Sequence, residues 1–449
     1  MKKIISLQKK LIAAALLTAL LTSILAGCGA GTVLGGMMMD LKPAPLVNPY
    51  GRESESAAAV AQGINEFSFT MGSMLYEEYE GENFVCSPVS LWLPLGALLN
   101  AAEESRREEL MASLGLKDVT TAEVNEAVSR ILYCLTGEGD KGLYEMEGEE
   151  YQPALQLANM VFVSKEYHLD RKFAQEYLDY YRGNSMMVDF QSGEAVEEIN
   201  RWASEQTNGE IDHVLEKLAP ETVAAIANAI YFKDSWNWKF SEEETRREDF
   251  HTPDGDIAAQ FMVRQGEGQS YYEDALVQAV CLNFERGARM YVLLPRKGTA
   301  DELYHSMTAG DLKRIAEGMD GNSEGTLKLP KFEIAGESMD LMTVLQKLEV
   351  PLLDITDPVI TGLVTEKEPL FISQALQKAR IRVDEDGTTA AAVTVIAMEA
   401  GGAIMREEPV TKFEMICDRP FLFYLTDDTY DGGDQVLFSG VVNKPETAE

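Results

Sequence analysis

Between residues 66 and 79 the apolar side chains Phe67, Phe69, Met71, Met74 and Leu75 return at helical spacing, which predicts an amphipathic helix. Residues 83–86 (Asn-Phe-Val-Cys) then form a short apolar run suited to a buried strand. Ser87-Pro88 follows with the chemistry of a helix start, serine as N-cap and proline in the first turn. From 89 to 102 the chain is apolar nearly all round, which predicts a buried helix, and Pro94 inside it predicts a kink. Residues 157–163 read as a strand, and the Ile199–Trp202 periodicity as a helix stopped at Gly209. The unbroken apolar stretch 224–232 has the pattern of a central strand covered on both faces. Further strands are expected in 277–295, in 326–334 and after Phe413. Helices early and strands late indicate an α+β domain.

One segment breaks these patterns. After Gly387 the chain reads Thr-Thr-Ala-Ala-Ala-Val-Thr, small and without proline, as an exposed loop would be. Its β-branched content also permits a strand, in which Thr388, Ala390, Ala392 and Thr394 would share one face. All four are small enough to slide between strands already packed.

The composition, 45% hydrophobic and 25% charged over 449 residues with no internal repeat, fits a single large globular domain. A net charge of −35 excludes a nucleic-acid binder, which needs clustered Lys and Arg, and disfavours general attraction to anionic lipid. Residues 138–150 are dense in acid and glycine and read as a surface insertion. Cys86, Cys134, Cys281 and Cys417 sit among apolar neighbours without zinc spacing, so buried free thiols are expected, with neither metal site nor cofactor.

At the N-terminus, Lys2, Lys3, Lys9 and Lys10 precede an apolar run, 11–25, that is short for a spanning helix but suits an export signal. It ends in Leu25-Ala26-Gly27-Cys28, which resembles the bacterial lipoprotein cleavage box. That resemblance implies a signal peptide over 1–27, lipidation of Cys28, and a protein exported and anchored to the bacterial cell membrane, facing outside the cytoplasm. Removing 1–27 deletes four lysines and no acids, taking the charge from −35 to −39. Residues 28–57, with Pro43, Pro45 and Pro49, read as a lipidated tether, leaving 58–445 as the domain.

A hydrolase signature, G-x-S-x-G, occurs at 321–325 around Ser323. It needs a preceding strand and a following helix, whereas here a helical segment comes before and a strand, 326–332, after. Four histidines (His168, His213, His251, His305) supply no recognisable triad, so no enzyme is expected and Ser323 reads as a turn residue.

Seven short motifs in order point elsewhere. They are Ser87-Pro88-Val89-Ser90-Leu91, Leu157-Ala158-Asn159, the pair Asn200 and Trp202, and Asn228-Ala229-Ile230-Tyr231-Phe232-Lys233 with Trp236. Then come Leu329-Pro330-Lys331-Phe332, Ile372-Ser373-Gln374-Ala375-Leu376-Gln377-Lys378-Ala379 and Phe438-Ser439-Gly440-Val441-Val442-Asn443-Lys444-Pro445. With the 385–394 segment and Cys417-Asp418-Arg419-Pro420-Phe421-Leu422-Phe423 after it, the chain resembles the serpins across almost its whole length.

The resemblance implies helices packed on a large central β-sheet, with an exposed reactive-centre loop over about 387–412. It implies inhibition of serine-type endopeptidases, with cysteine proteases within reach of the same trap. The protease cleaves the loop, is held as an acyl-enzyme, and is carried off as the loop inserts into the sheet. Ser87, Ser90 and Asn228 match shutter positions beneath strands that must part, with Gln377 where a histidine is usual. Trp236 matches the tryptophan where insertion begins.

Glu385, Gly387, Thr388, Ala390, Ala391, Ala392 and Thr394 form the hinge, and Thr389 replaces a usual glutamate whose side chain faces outward. The implied scissile bond joins Gly401 and Gly402, with Ala400, Ala403 and Arg406 as alternatives. Small bait residues favour elastase-like or subtilisin-like targets, while Arg406 would suit trypsin-like ones. A monomer is expected. The competing reading is a non-inhibitory binding or structural surface protein on the same fold.

Overall fold

The computed structural model describes residues 37–445 except 138–153, 208, 210, 212–213, 218–221, 336–337, 352–358, 367–369, 371, 373 and 389–410. In chain order the strands are β1 (Met37–Met38), β2 (Phe84–Cys86), β3 (Leu155–Ser164), β4 (Asn184–Val188), β5 (Ala224–Phe232), β6 (Asp234–Ser235), β7 (Arg246–Thr252), β8 (Gly255–Glu273) and β9 (Val277–Asn283). They continue with β10 (Arg289–Pro295), β11 (Asp320–Pro330), β12 (Phe332–Ala335), β13 (Met339–Asp340), β14 (Gln374–Val383), β15 (Gly387–Thr388), β16 (Lys412–Ile416), β17 (Phe421–Asp428) and β18 (Asp434–Val442).

Two sheets carry them. The first runs β1-β4-β3-β5-β14-β15-β6, with β12 and β13 also on β14. The second runs β16-β11-β8-β9-β10-β17-β18-β2, with β7 on β8. Helices pack on the sheets, giving the α+β architecture that the motifs implied.

All nine residues of β5 are buried, because both its faces are covered. Ala225, Ala227 and Ala229 pack with Ile199 and Trp202 of the helix Glu194–Gln206. Ile226 and Ile230 point the other way, into the main core with the helix Pro88–Ala97. The period-2 alternation thus hides inside a continuous apolar run, with Ala225, Ala227 and Ala229 toward one helix layer and Ile226 and Ile230 toward the other.

Several elements differ from the sequence reading. The first helix is Glu55–Tyr76, capped by the Ser54 hydroxyl accepting from the Ala57 N–H, and so begins well before residue 66. Its first turns are rich in alanine, which buries little area and leaves a weak periodic signal. The second helix is Pro88–Ala97 with a 3₁₀ turn Leu98–Asn100, shorter than 89–102. Ser87 holds the N-cap position, but its hydroxyl donates to the Leu437 carbonyl of β18 at 2.6 Å and does not cap.

Ser323 is no turn residue. It lies buried within β11, its hydroxyl donating to the Asp320 carbonyl. The glycine of that motif has a packing reason, because a Cβ on Gly325 would sit 2.3 Å from the Phe413 carbonyl oxygen of β16.

Residues 37–54 do not stand off as a tether. β1 pairs with β4, and Leu46 and Pro49 are buried against the body. The four cysteines are free, as expected, although Cys134 and Cys281 are only half-buried. The signal segment with Cys28 and the acidic insertion 138–150 lie outside the described residues.

Candidate functional site: the seam between β5 and β14

β5 and β14 come from distant parts of the chain yet lie side by side and parallel, in register from Gln374 opposite Ala225 to Ala379 opposite Ile230. Within this register Gln377 stands opposite Asn228, and Asn228 opposite Asn159 of β3. Three amide side chains therefore form one lateral row across three strands, each nearly or fully buried.

Their partners lie on the helix beneath. Gln377 accepts from the Ser87 N–H (2.9 Å) and donates to the Ser87 carbonyl (2.7 Å) and the Ser90 hydroxyl (2.9 Å). Asn228 donates to the Ser90 carbonyl at 2.9 Å and to Asn159 Oδ1. That carbonyl is available because Pro94, four residues on, has no N–H to give it. The proline expected to kink the helix thus frees the acceptor that binds β5 to it.

Ser87, Ser90, Asn228 and Gln377 are brought together in one buried network. A neutral imidazole has one donor and one acceptor, so Gln377 makes three bonds where histidine could make two. The glutamine carries the network without a titrating group. Asn159, the last residue of the Leu157-Ala158-Asn159 motif, belongs to the same network, a role the motif alone does not assign. Its pairing depends on register between strands, which no local pattern reports.

At the end of the seam lies the segment that the resemblance reads as a hinge. Trp236 is fully buried, stacked on Phe284 with ring centroids 4.2 Å apart, and donates from Nε1 to the Asp384 carbonyl at 2.9 Å. Glu385 is held by Lys331 at 2.7 Å and by the Thr245 hydroxyl at 2.7 Å. Burial pushes the Glu385 carboxyl up, but these two bonds outweigh it and hold it below the usual carboxylate range. Gly387 has φ +151°, and a Cβ there would lie 2.2 Å from the Asp234 carbonyl oxygen, so no other residue fits.

Thr388 is 1% exposed. Its hydroxyl accepts from the Asp234 N–H at 3.2 Å, and β15 lies between β6 and β14. The first two residues of the loop are already seated in the sheet. Lys331, Thr245 and Asp234 complete this end; Lys331 was read only as part of a motif, and the other two carried no sequence signal.

Asp234 gives a pH signature. Burial pushes its carboxyl up to about 6, partly offset by the Arg286 N–H and guanidinium. A folded-state value raised above the unfolded one means the native protein binds the proton more tightly. Asp234 therefore favours folding at low pH, and its penalty grows as pH rises from about 4 to 6. Comparing unfolding free energies of the parent and Asp234→Asn at pH 7 and pH 4 should show the parent relatively worse at pH 7, by on the order of 2–3 kcal/mol. A difference that ignores pH would rule this out.

Glu385, Gly387 and Thr388 are thus placed at the seam, while Ala390, Ala391, Ala392, Thr394, Ala400, Gly401, Gly402, Ala403 and Arg406 lie outside the described residues.

A family model described as serpin (serine protease inhibitor) matches residues 62–445. An uncharacterised serpin-like protein of Thermococcus kodakarensis is 30% identical over 393 residues, 86% of each chain. Antichymotrypsin-2 of Bombyx mori is 30% identical over 387 residues, covering 84% of this chain and 96% of its own. Among solved structures, the thermophilic serpin tengpin in its native state aligns with a TM-score of 0.73 at 21% identity, over 92% of this chain and 100% of that one. Human thyroxine-binding globulin with thyroxine aligns at 0.72 and 22% identity, over 88% and 100%. At such identities these two likenesses speak for the fold alone. The family match, together with the seam and its seated hinge, has one conclusion: the chain belongs to the serpin family of serine protease inhibitors.

Proposed function

We propose that this protein inhibits serine-type endopeptidases as a suicide substrate, its loop entering the sheet between β5 and β14. The observation that carries the reading is the seating of Gly387 and Thr388 at the end of a parallel seam. A strand entering there would run antiparallel to both neighbours. Residues 388–394 have the small inward side chains such entry needs.

The target's serine would attack the Gly401 carbonyl, the bond to Gly402 would break with Gly402 leaving as the amine, and an ester would remain. Insertion must then outrun hydrolysis of that ester. Small bait residues favour elastase-like or subtilisin-like targets. Export through the 1–27 signal and lipidation at Cys28 would hold the inhibitor on the outer face of a bacterial membrane, as a monomer.

A second reading, a carrier, draws on a cleft of about 1200 Å³ between the helices Glu55–Tyr76 and Ala309–Glu317. One structural neighbour, thyroxine-binding globulin, is described in complex with thyroxine.

One experiment separates the two. The chain from residue 29 onward is mixed with an elastase, a subtilisin and a trypsin, then followed on denaturing gels and by mass spectrometry. The expected result is an SDS-resistant complex with a released fragment starting at Gly402. Cleavage without any complex would sink the inhibitory reading and leave the carrier.

A further inference from the structure

Residues 37–54 precede the family match, which begins at residue 62, yet they are stitched to the body from one sheet to the other. At the near end, Met37 and Met38 pair with Met187 and Met186 on the outer edge of β4. In the middle, the Ala44 N–H donates to Asp179 (2.8 Å), Arg182 donates to the Ala44 carbonyl (2.7 Å), and the Val47 N–H donates to the Ser129 hydroxyl (3.0 Å). Leu46 is buried beneath this stretch.

The far end is a knot. Arg130 of the helix Thr121–Leu135 pairs with Asp431 in the turn between β17 and β18, at 2.7 Å, and each side chain is 3% exposed. The arm completes that buried pair. Arg130 also donates to the Arg52 carbonyl, and Asp431 accepts from the Ser54 N–H at 3.2 Å.

We infer that residues 37–54 are a strap restraining the β5–β14 seam. The inference rests on the reading that this seam must part. For it to part, β5 must leave β14, and β3 and β4, paired to β5 in turn, move with it. The second sheet stays. A chain bonded at one end to β4 and at the other to Asp431 resists that motion until one end lets go. The knot is the stronger end, because removing the Arg52 carbonyl leaves a buried guanidinium short of an acceptor. The two-residue pairing of β1 on β4 is the weaker end and yields first.

The test uses the chain from residue 29 onward and the double variant Ala44→Pro/Leu46→Asp. The first change removes the N–H that Asp179 accepts, and the second puts a charge where the arm is buried. Both lie outside the family match, and Leu46 is the one residue of the main core that is altered. Backbone hydrogen exchange is followed in β5, β14 and, as an internal reference, β10 and β17.

Release of the arm should speed exchange in β5 and β14 by about tenfold or more, leaving β10 and β17 unchanged. Parental exchange in the seam, with residues 42–54 shown to be released, would overturn the strap. Equal acceleration in both sheets would overturn it too, since the arm would then be a general stabiliser. Exchange needs no protease, so a failure to trap proteases would count against the proposed function and not against the strap. Arg130→Lys, which keeps the charge but not the fork of donors, is the second variant and should give the same contrast between sheets.

Discussion

Thr388→Glu should abolish trapping while leaving cleavage intact. The parent side chain is 1% exposed and lies against Asp234, whose own carboxyl is buried and already committed to Arg286. A second carboxylate at that seat must either lose its charge or leave, and both routes cost several kcal/mol. Each 1.4 kcal/mol is tenfold, so the yield of SDS-resistant complex should fall on the order of a hundredfold. The protease should still cut the loop, and the cut protein should gain no thermal stability. Thr388→Ser, which keeps the hydroxyl and its bond to Asp234, should behave like the parent. Near-parental yield from the glutamate variant would mean that insertion does not pass through this seat.

Trp236→Ala should give the largest loss of stability. The indole is fully buried, stacked on Phe284, and its Nε1 serves the Asp384 carbonyl, which has to be supported just before the hinge. Emptying a site of this size costs about 3–5 kcal/mol, and the abandoned carbonyl adds about 1 kcal/mol. Denaturant unfolding at pH 7 should register a loss of about 4 kcal/mol or more. Trp236→Phe should recover most of the packing but not the hydrogen bond, leaving a deficit of about 1–2 kcal/mol. If alanine costs less than about 2 kcal/mol, the indole is not the prop of the hinge that its contacts indicate.

Local pattern carried some elements well and others not at all. β5 was legible because burial on both faces forces an unbroken apolar run. The start of the first helix was not, because alanines shape a face without marking it. Residues 37–54 misled for a physical reason. Proline at 43, 45 and 49 does favour an extended chain, but an extended chain also offers unpaired carbonyls, and Gln175, Arg182 and Arg130 take those of Lys42, Ala44 and Arg52.

The site divides in the same way. Ser87, Ser90, Asn228 and Gln377 were reachable through motifs. Asn159 stands in a motif too, but its part in the network comes from the register of β3 on β5, and Asp234 enters only through the close approach of Gly387. Long-range pairing leaves no periodicity to read.

Pro94 has a consequence for the lifetime of the native fold. By withholding an N–H it leaves the Ser90 carbonyl dependent on Asn228, a side chain that travels with β5. Whenever the strands separate, that carbonyl is stranded in a dry interior, so the toll falls on the moment of separation and not on the resting state. An alanine in its place would mend the helix and, by the same act, relieve the carbonyl of its need for the strand. The repaired protein would rest in a deeper well with a lower wall: more stable at equilibrium and shorter-lived in its active form.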